Sequence, residues 1–411
     1  MTSDESAVDD APTAILDAMT LDIAAVQRAL REDHLDGWLL HDFHGSNPIS
    51  QRVTSLNTGA KLTTRRWYYL IPADGEPRAL VHAIERDRLD HLPGDKTQYA
   101  RHGELDAGLR TLLDGCRNVA MEYSPGCAIP YISRVDAGTV DAIRALGVDV
   151  RSSGDLVQRF EAVWDAAALA SHQTASDALY AIKDRAFALV SERLQTGATV
   201  TELEVQDAMV GWFEDAELIS DSRPVVAAQE NAGDPHYLPT TARHRVIGPD
   251  QVLLLDLWGK LTTPAAVYAD ITWMGYTGTN VPARYASAFE VIRDGRDAAV
   301  ALVENAVADR RELRGWEVDR AARDLIVAAG YGDRFVHRTG HSLGEEVHGN
   351  GVHLDDFETH DERRLLPGTG ITVEPGVYFE DFGLRTEINL HVGHTTATVS
   401  GPRQTEIRPL R

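Results

Sequence analysis

The second half of this chain places acidic residues inside short, β-rich apolar runs, where a charge is costly unless it is neutralised. Asp256 lies in the run 251–259 (QVLLLDLWG), and Asp270 lies in the run 267–273 (VYADITW). Runs of this length and composition are typical of buried strands, and a buried carboxylate needs a partner. Because a turn separates the two runs, the sequence predicts two antiparallel strands that bring the carboxylates together.

A histidine-rich stretch and two further acidic residues follow the two aspartates. His337, His341 and His348 stand in the segment HRTGHSLGEEVHGNG, whose glycines indicate exposed backbone near a ligand. Glu374 and Glu387 lie in two more β-rich runs, ITVEPG and LRTEINL. Four carboxylates and a histidine amount to five ligands.

The chemistry of this donor set favours a metal site. Hard oxygen donors with one imidazole suit divalent manganese, cobalt, iron or zinc, and four carboxylates can neutralise two such cations. Two metals held about 3.5–4 Å apart can share a water, lower its pKa and stabilise a tetrahedral intermediate. The reaction that this arrangement indicates is hydrolysis. A single acidic residue in a strand is more often a salt-bridge partner, so it is the whole set that indicates a metal site.

The order of these residues resembles that of the pita-bread metallopeptidases, which include methionine aminopeptidase, aminopeptidase P and prolidase. Five motifs occur in the family's order: Leu-Asp256-Leu-Trp-Gly, Ala-Asp270-Ile-Thr, Thr-Gly-His341-Ser-Leu-Gly, Val-Glu374-Pro-Gly-Val-Tyr and Arg385-Thr-Glu387. The sequence around His341 is most similar to that of the proline-specific branch. The detailed match is confined to the C-terminal part of the chain, and it is specific because five motifs share one order.

The resemblance implies a set of ligands and a cofactor. The implied metal ligands are Asp256, Asp270, His341, Glu374 and Glu387. They are expected to hold two divalent ions, with manganese as the first expectation and cobalt, zinc or iron as alternatives.

The resemblance also assigns roles to residues around the ligands. It aligns His348 with a histidine that donates to the scissile carbonyl oxygen and His236 with another substrate-facing histidine, whereas an isolated histidine on a loop is ordinarily a surface residue. His337 is expected to contact the substrate or to support a ligand. Arg385 is expected to face a substrate carboxylate or to pair with a metal carboxylate, and an ordinary cross-strand ion pair is equally consistent. Glu374 is implied both as ligand and as catalytic proton carrier.

Three departures from the family pattern concern substrate fit more than metal binding. The interval of 14 residues from Asp256 to Asp270 is a few longer than usual, which predicts an insertion in the hairpin. Trp273 stands where the family often has arginine. The interval of 13 residues from Glu374 to Glu387 is short for an aminopeptidase P, so a loop beside the site is expected to be shorter in this chain.

Composition limits the partners of this chain. Its 411 residues carry 40 basic and 63 acidic side chains, a formal charge of −23, which argues against nucleic acid and anionic membrane surfaces as partners. Cys116 and Cys127 are the two cysteines, so no disulfide framework is expected and a reducing cytoplasm fits.

No signal peptide or membrane span is expected either. The acidic N-terminus lacks the features of a signal peptide and is expected to be a short disordered head. No run approaches the roughly 20 apolar residues that span a bilayer. A soluble, cytoplasmic protein is the expectation.

The first part of the chain alternates helix-like and strand-like segments, which is typical of an α/β layer. Helical periodicity covers 23–30, strand-like runs occur at 37–40, 67–72, 78–82 and 118–122, and one long helix is expected from about Phe160 to Leu194. The predicted domains are 1–158 and 159–411. The resemblance makes the first a creatinase-like α/β domain and the second an α+β pita-bread catalytic domain, and it implies a homodimer.

The leading functional hypothesis is a dinuclear metallopeptidase that cleaves the Xaa-Pro bond at the N-terminus of dipeptides or longer peptides. A second hypothesis is a relative with the same fold that acts on a non-peptide amide or ring, such as an ectoine hydrolase. A third is a catalytically silent pita-bread binding protein, although such proteins usually lose ligands, and this chain keeps all five.

Overall fold

The computed structural model describes residues 21–56 and 63–411. The N-terminal head that was expected to be disordered lies outside these residues. The described chain forms two compact units: the first holds the described residues up to Glu122 together with Arg134–Arg151, and the second holds Tyr123–Ser133 and Ser152–Arg411. The assignment of domains at 158/159 stays a prediction.

The first unit is built on one mixed sheet flanked by helices. Its elements are α1 (Ile23–Glu32), β1 (Gly37–Asp42), α2 (Pro48–Val53), β2 (Trp67–Pro72), β3 (Arg78–His82), β4 (Asp95–Tyr99), α3 (His102–Leu112), β5 (Asn118–Met121), α4 (Ala137–Ala145) and β6 (Asp149–Ser152). The described strands form a six-stranded sheet in the order β4-β3-β2-β1-β5-β6. β1 pairs parallel with β5 and antiparallel with β2. The expected alternation of helices and strands is confirmed.

The helices of the second unit are α5 (Gly154–Glu161), α6 (Ala166–Thr196), α7 (Glu202–Asp215), α8 (Ala283–Ala308) and α9 (Gly315–Ala328). The expectation of one continuous helix from about Phe160 was wrong, because the chain breaks between α5 and α6. Asp165 caps α6 by accepting a hydrogen bond from the Ala168 N–H at 2.7 Å, and Val163 forms an isolated bridge to Thr369. A side chain that satisfies free N–H groups starts a new helix.

The strands of the second unit are β7 (Leu218–Ile219), β8 (Val225–Ala228), β9 (Val252–Leu261), β10 (Ala269–Tyr276), β11 (Ser342–Leu343), β12 (Thr369–Val373), β13 (Gly376–Tyr378), β14 (Gly383–Arg385), β15 (Ile388–Val392), β16 (Ala397–Val399) and β17 (Arg408–Pro409). Among the described residues, one sheet has the order β17-β10-β9-β7 with β8 also on β9, a second has the order β11-β12-β15-β16, and β13 pairs with β14.

Alternation along the β9–β10 hairpin decides which side chains reach the core. Leu255, Leu257 and Ile271 are buried in a hydrophobic cluster with side chains of α6. Since successive strand residues point to opposite faces, Asp256 and Asp270 lie on the other face. This alternation places the acidic residues away from the α6 core.

The two larger sheets of the second unit are joined through Asn389 on β15. Its Oδ1 accepts a hydrogen bond from the Asp270 N–H on β10 at 2.9 Å, and its Nδ2 donates back to the Asp270 carbonyl. Because the side chain satisfies the backbone of β10, the strand that carries Asp270 is held beside the strand that follows Glu387.

Neither a membrane span nor a disulfide occurs in the part of the chain that the structure describes. Among the helices of residues 21–56 and 63–411, none combines the length and the apolar character that a membrane crossing requires. Cys116 and Cys127 are both free thiols.

Candidate metal centre

The register of the β9–β10 hairpin puts Asp256 and Asp270 on one face. Asp256 pairs with Thr272, and Asp270 pairs with Trp258. The two aspartates are therefore diagonal neighbours across the ladder, a spacing within reach of side-chain interaction. The antiparallel pair that the sequence predicted is confirmed.

The two glutamates stand at adjoining strand ends. β12 and β15 pair so that Val373 lies opposite Ile388, and Glu374 and Glu387 are the next residues beyond that pair. Glu387 is fixed to β10, because its N–H donates to the Thr272 carbonyl at 3.1 Å and its Oε2 accepts from the Thr272 hydroxyl at 2.8 Å. The topology thus brings both glutamates to the hairpin that carries the aspartates.

His341 presents one ring nitrogen to this carboxylate group. Its Nδ1 lies 3.2 Å from the Ser342 carbonyl oxygen, to which it can donate, and its Nε2 lies 3.5 Å from both Asp270 Oδ2 and Glu374 Oε1. The backbone contact assigns the proton to Nδ1 and leaves Nε2 as an electron-pair donor. A histidine that is oriented through its other nitrogen is typical of a metal ligand.

Two carboxylate oxygens in this cluster have no hydrogen-bond partner among the described residues. Asp270 Oδ1 and Glu387 Oε1 are both buried and unsatisfied, and ligand atoms of Asp270, His341 and Glu387 all lie within 4.8 Å of one another. Buried unsatisfied oxygens are costly in a folded protein. The donor set fits a divalent cation, which would satisfy them.

The electrostatics of the four carboxyl groups point the same way. Burial is the largest cause that raises the pKa of each, namely Asp256, Asp270, Glu374 and Glu387. Mutual repulsion raises the pKa values of Asp270 and Glu387 further, so that both lie well above their ordinary range. Four such groups together cannot all be ionised without positive charge beside them.

Arg385 supplies part of that positive charge. Its Nη2 donates to Asp256 Oδ2, its Nε donates to the Thr272 hydroxyl at 3.0 Å, and its Nη1 donates to the Tyr378 hydroxyl at 3.1 Å. Of the alternatives for Arg385, the structure shows pairing with a carboxylate of the cluster. A contact between Arg385 and substrate stays a prediction.

His337 is enclosed by protein groups on both sides of its ring. Its Nδ1 lies 2.7 Å from the Arg338 carbonyl oxygen, and its Nε2 lies 2.8 Å from the Tyr378 hydroxyl. Burial, with the nearby guanidinium of Arg385, lowers the pKa of His337 to about 3. His337 is a neutral link between the backbone and Tyr378, and its role toward substrate stays a prediction.

His348 and His236 lie at the exposed side of the cluster. The His348 ring is 4.4 Å from that of His341 in an edge-on arrangement, and both His348 and His236 are solvent-exposed. Partial burial of the His348 ring is the largest cause that lowers its pKa, to about 3. These two histidines are accessible to a bound substrate, unlike His337.

Two residues that contact the candidate site residues carry no role in the sequence-based prediction. Thr272 bonds Glu387, and Tyr378 links His337 to Arg385. Both lie within the motifs Ala-Asp270-Ile-Thr and Val-Glu374-Pro-Gly-Val-Tyr, so their position in these motifs was the available sign.

Trp273 lies on the opposite face of β10 from the aspartates. Its ring packs against the α6 core cluster, with the Lys183 ammonium 3.9 Å from the ring centroid. Because this residue faces away from the carboxylates, it has no direct contact with a substrate held there. The hydrolysis of a ring substrate gains no support from Trp273.

Comparison with known proteins agrees with this arrangement of residues. Residues 172–394 match the description of metallopeptidase family M24. The chain is 28% identical to the Xaa-Pro dipeptidase of Lactobacillus helveticus over 205 residues, which are 50% of this chain and 51% of the relative. It therefore spans about half the length of the curated relatives it matches.

Solved structures share the fold. The dipeptidase PepE of Mycobacterium ulcerans superposes with a TM-score of 0.66 at 20% identity, covering 96% of this chain and 99% of that one. The X-prolyl aminopeptidase of Caenorhabditis elegans, described as a cytosolic enzyme with a di-nuclear active site, gives a TM-score of 0.58 at 17% identity, covering 93% of this chain and 62% of that one. The expected two-domain pita-bread architecture is confirmed, and the chain belongs to metallopeptidase family M24.

Proposed function

We propose that this protein is a metal-dependent peptidase that hydrolyses the Xaa-Pro bond at the N-terminus of dipeptides or peptides. The observation that carries the proposal is the pair of buried, unsatisfied oxygens on Asp270 and Glu387 in one cluster with His341. Membership of family M24 supports a peptidase, and the matched region of a relative named Xaa-Pro dipeptidase supports proline specificity.

The cofactor in this proposal is a pair of divalent cations. Asp256, Asp270, His341, Glu374 and Glu387 would hold them, and manganese is the proposed metal because hard oxygen donors dominate the set. When bound, such ions lower the pKa of a water and offset the negative charge of a tetrahedral intermediate.

The protein groups would move the protons and hold the substrate. Glu374 accepts a proton from the attacking water and passes it to the proline nitrogen as the C–N bond breaks. A carboxylate beside both the attacking water and the leaving nitrogen can act first as a base and then as an acid. His348, as a neutral imidazole, donates to the carbonyl oxygen as negative charge develops there. His236 contacts the amide side of the substrate.

The experiment that tests the proposal is hydrolysis by metal-loaded protein of Ala-Pro, Ala-Pro-Ala, Ala-Ala and a cyclic amidine such as ectoine. We expect cleavage before proline and little turnover of Ala-Ala or the amidine. Turnover of the amidine alone would favour the ring hydrolase, and no turnover of any substrate by protein that binds manganese would favour the silent binding protein.

A matched pair of variants separates chemistry from fold. Glu374→Gln should lower kcat by at least about 10²-fold, the usual contribution of general acid–base catalysis. Glu380→Gln changes an exposed glutamate at the turn between β13 and β14 and should leave kcat unchanged. Equal kcat for the two variants under saturating manganese would remove Glu374 from the mechanism.

The setting of the protein is part of the same proposal. A homodimer rests on the resemblance to proline-specific peptidases, and a cytoplasmic location is supported by the two free cysteines. Light scattering of the purified protein tests the dimer, and fractionation of the source cells tests the location.

A further inference from the structure

Arg338 is a half-buried arginine beside the candidate metal centre whose guanidinium has no carboxylate partner. Within the described residues, its Nη1 donates to the Tyr131 hydroxyl at 2.9 Å, and no Asp or Glu oxygen lies within ion-pair distance. Glu358 accepts from the Arg338 main-chain N–H at 3.2 Å, not from its side chain. Nε and Nη2 make no hydrogen bond to a described residue, and neither is sealed from solvent.

The neighbouring buried arginines are different, because each is neutralised. The pairs are Arg385 with Asp256, Arg323 with Asp319, and Arg363 with Asp361. A guanidinium that is partly withdrawn from water is costly without an anion. Among these four described arginines, Arg338 is therefore the one that is free to take an anion from outside the chain.

Arg338 lies close enough to the candidate metal centre for its charge to act on residues there. Its positive charge lowers the pKa values of His341 and His348 and acts on the carboxylate of Glu374. Arg385, by contrast, is committed to Asp256. The guanidinium of Arg338 bonds Tyr131, whose ring lies 4.4 Å from that of His353, and His353 Nδ1 accepts a hydrogen bond from the Ser342 N–H at 3.1 Å. Arg338 thus lies beside the segment that carries the ligand His341.

A dipeptide substrate brings an anion close to the scissile bond. In Xaa-Pro the α-carboxylate is two bonds from the nitrogen of the scissile bond, whereas in a longer peptide that position is a neutral amide. Arginine presents its donors in a planar fork that matches a carboxylate with two parallel hydrogen bonds. The two unengaged nitrogens of Arg338, Nε and Nη2, form one such edge of the fork.

Tyr131 fixes the guanidinium from the other direction. Its ring lies 4.4 Å from that of buried His353, and its hydroxyl accepts a hydrogen bond from Arg338 Nη1. Tyr131 belongs to the segment Tyr123–Ser133, which forms part of the second compact unit. Tyr131 acts as a positioning residue, because it occupies one end of the fork and leaves the other end for a ligand.

We propose that Arg338, positioned by Tyr131, binds the C-terminal carboxylate of the substrate and makes the protein a dipeptidase. This inference rests on the proposed Xaa-Pro hydrolysis and names the substrate class of that site. A longer peptide presents no charge to Arg338 at this position and has to place further residues beside it.

The test compares Ala-Pro with Ala-Pro-amide, which differ only in the terminal carboxylate, using manganese-loaded protein. Wild-type protein should cleave Ala-Pro with the higher kcat/KM. Arg338→Gln should lower kcat/KM for Ala-Pro by about 10- to 100-fold, the usual effect of losing a charged hydrogen bond, mainly through KM. Its kcat/KM for Ala-Pro-amide should stay within about twofold of wild type, because the amide makes no charged contact.

Two further variants and a binding measurement keep the test independent of folding and turnover. Arg334→Gln removes the same charge from an exposed arginine, whose guanidinium lies 5.3 Å from the Phe379 ring. It should leave kcat/KM unchanged for both substrates. Tyr131→Phe should also lower kcat/KM for Ala-Pro, but by less than Arg338→Gln does. Calorimetry should show that free proline binds wild type more tightly than prolinamide, and that Arg338→Gln abolishes the difference.

The outcomes separate the two proposals. Wild-type protein that cleaves Ala-Pro and Ala-Pro-amide equally, or an Arg338→Gln variant that loses both in equal measure while remaining folded, overturns the carboxylate assignment and leaves Xaa-Pro hydrolysis intact. Wild-type protein that cleaves neither substrate overturns Xaa-Pro hydrolysis and the inference that rests on it.

Discussion

The Nε2 atom of His341 lies 3.5 Å from the Oδ2 atom of Asp270. Asp270 lies on β10, and His341 immediately precedes β11, which belongs to a different sheet of the second unit. Both side chains are almost fully buried, with exposures of 3% for His341 and 5% for Asp270. In the same cluster, Asp270 Oδ1 and Glu387 Oε1 have no hydrogen-bond donor among the described residues. Metal binding should therefore stabilise the fold.

We expect the purified protein to bind two manganese ions per chain, because four carboxylates carry too much charge for one. At a manganese concentration about a thousandfold above the Kd of each site, the gain in unfolding free energy should be about 4 kcal/mol for each ion bound. Elemental analysis and thermal unfolding with and without manganese measure both. A loaded protein with one ion or fewer per chain would contradict the dinuclear site. Asp141→Asn, at an exposed position of α4, is the control.

The stabilisation by manganese should grow as the pH rises. The pKa values of Asp270 and Glu387 are raised in the folded protein, first by burial and then by neighbouring carboxylates. A raised carboxyl pKa stabilises the metal-free fold at low pH, and this contribution is lost as pH rises through the folded pKa. The difference in Tm between loaded and metal-free protein should thus be larger at pH 8 than at pH 5. A constant difference would contradict the assignment.

His348 and His341 should respond differently to removal of their rings. His341→Ala should lose metal, because Nε2 faces the carboxylates. His348→Ala should keep metal and lower kcat by about 10²–10³-fold, the effect of losing one oxyanion donor. Metal content and steady-state kinetics of the two variants distinguish the roles. Equal metal loss in both, or a change in KM alone for His348→Ala, would refute the catalytic role of His348.

His172 should make stability fall under mildly acidic conditions. Its Nδ1 lies 2.8 Å from the Tyr268 carbonyl oxygen and its Nε2 lies 2.8 Å from the Ser400 hydroxyl, and burial lowers its pKa from 6.5 to about 4. A depressed histidine pKa costs stability as pH falls from the unfolded value to the folded one, here about 3 kcal/mol in total.

The check on His172 is denaturant unfolding between pH 8 and pH 4. His172→Gln should flatten the pH dependence in this range, although it loses stability at pH 8 through its altered hydrogen bonds. His102→Gln, at an exposed position of α3, should retain the wild-type slope. An unchanged slope in His172→Gln would show that other groups cause the acid sensitivity.

Gly340 should tolerate no side chain. A Cβ atom there would lie 2.1 Å from the Thr372 carbonyl oxygen on β12, so the strand before Glu374 would have to move. Gly340→Ala should cost at least about 1–3 kcal/mol, as overpacked sites do, and should lower manganese affinity. Gly211→Ala in α7 meets no atom within 4 Å and should be neutral or stabilising. Thermal unfolding and metal titration of the pair provide the comparison.

The sequence by itself was enough to predict the local elements of the site. The short, β-rich apolar runs around Asp256 and Asp270 predicted the hairpin, because runs of this length and composition are typical of buried strands and a turn separates them. The ordered motifs predicted the family, which the match to M24 confirms. The roles of the five ligands stay predictions that metal binding will test.

The break between α5 and α6 could not be predicted from helical periodicity. The residues before Ala166 continue an apolar pattern, but Val163 pairs with Thr369 in a distant part of the chain. A local pattern carries no information about a partner so far away, so tertiary pairing overrode the helical preference.

Tertiary structure alone decided what the arginines of the site do. Arg385 meets Asp256 across 129 residues of sequence, and Arg338 meets Tyr131 across 207. Both are arginines near a ligand motif, and composition does not tell them apart. The fold supplies a carboxylate to Arg385 and only a hydroxyl to Arg338, because long-range packing determines which group each guanidinium can reach.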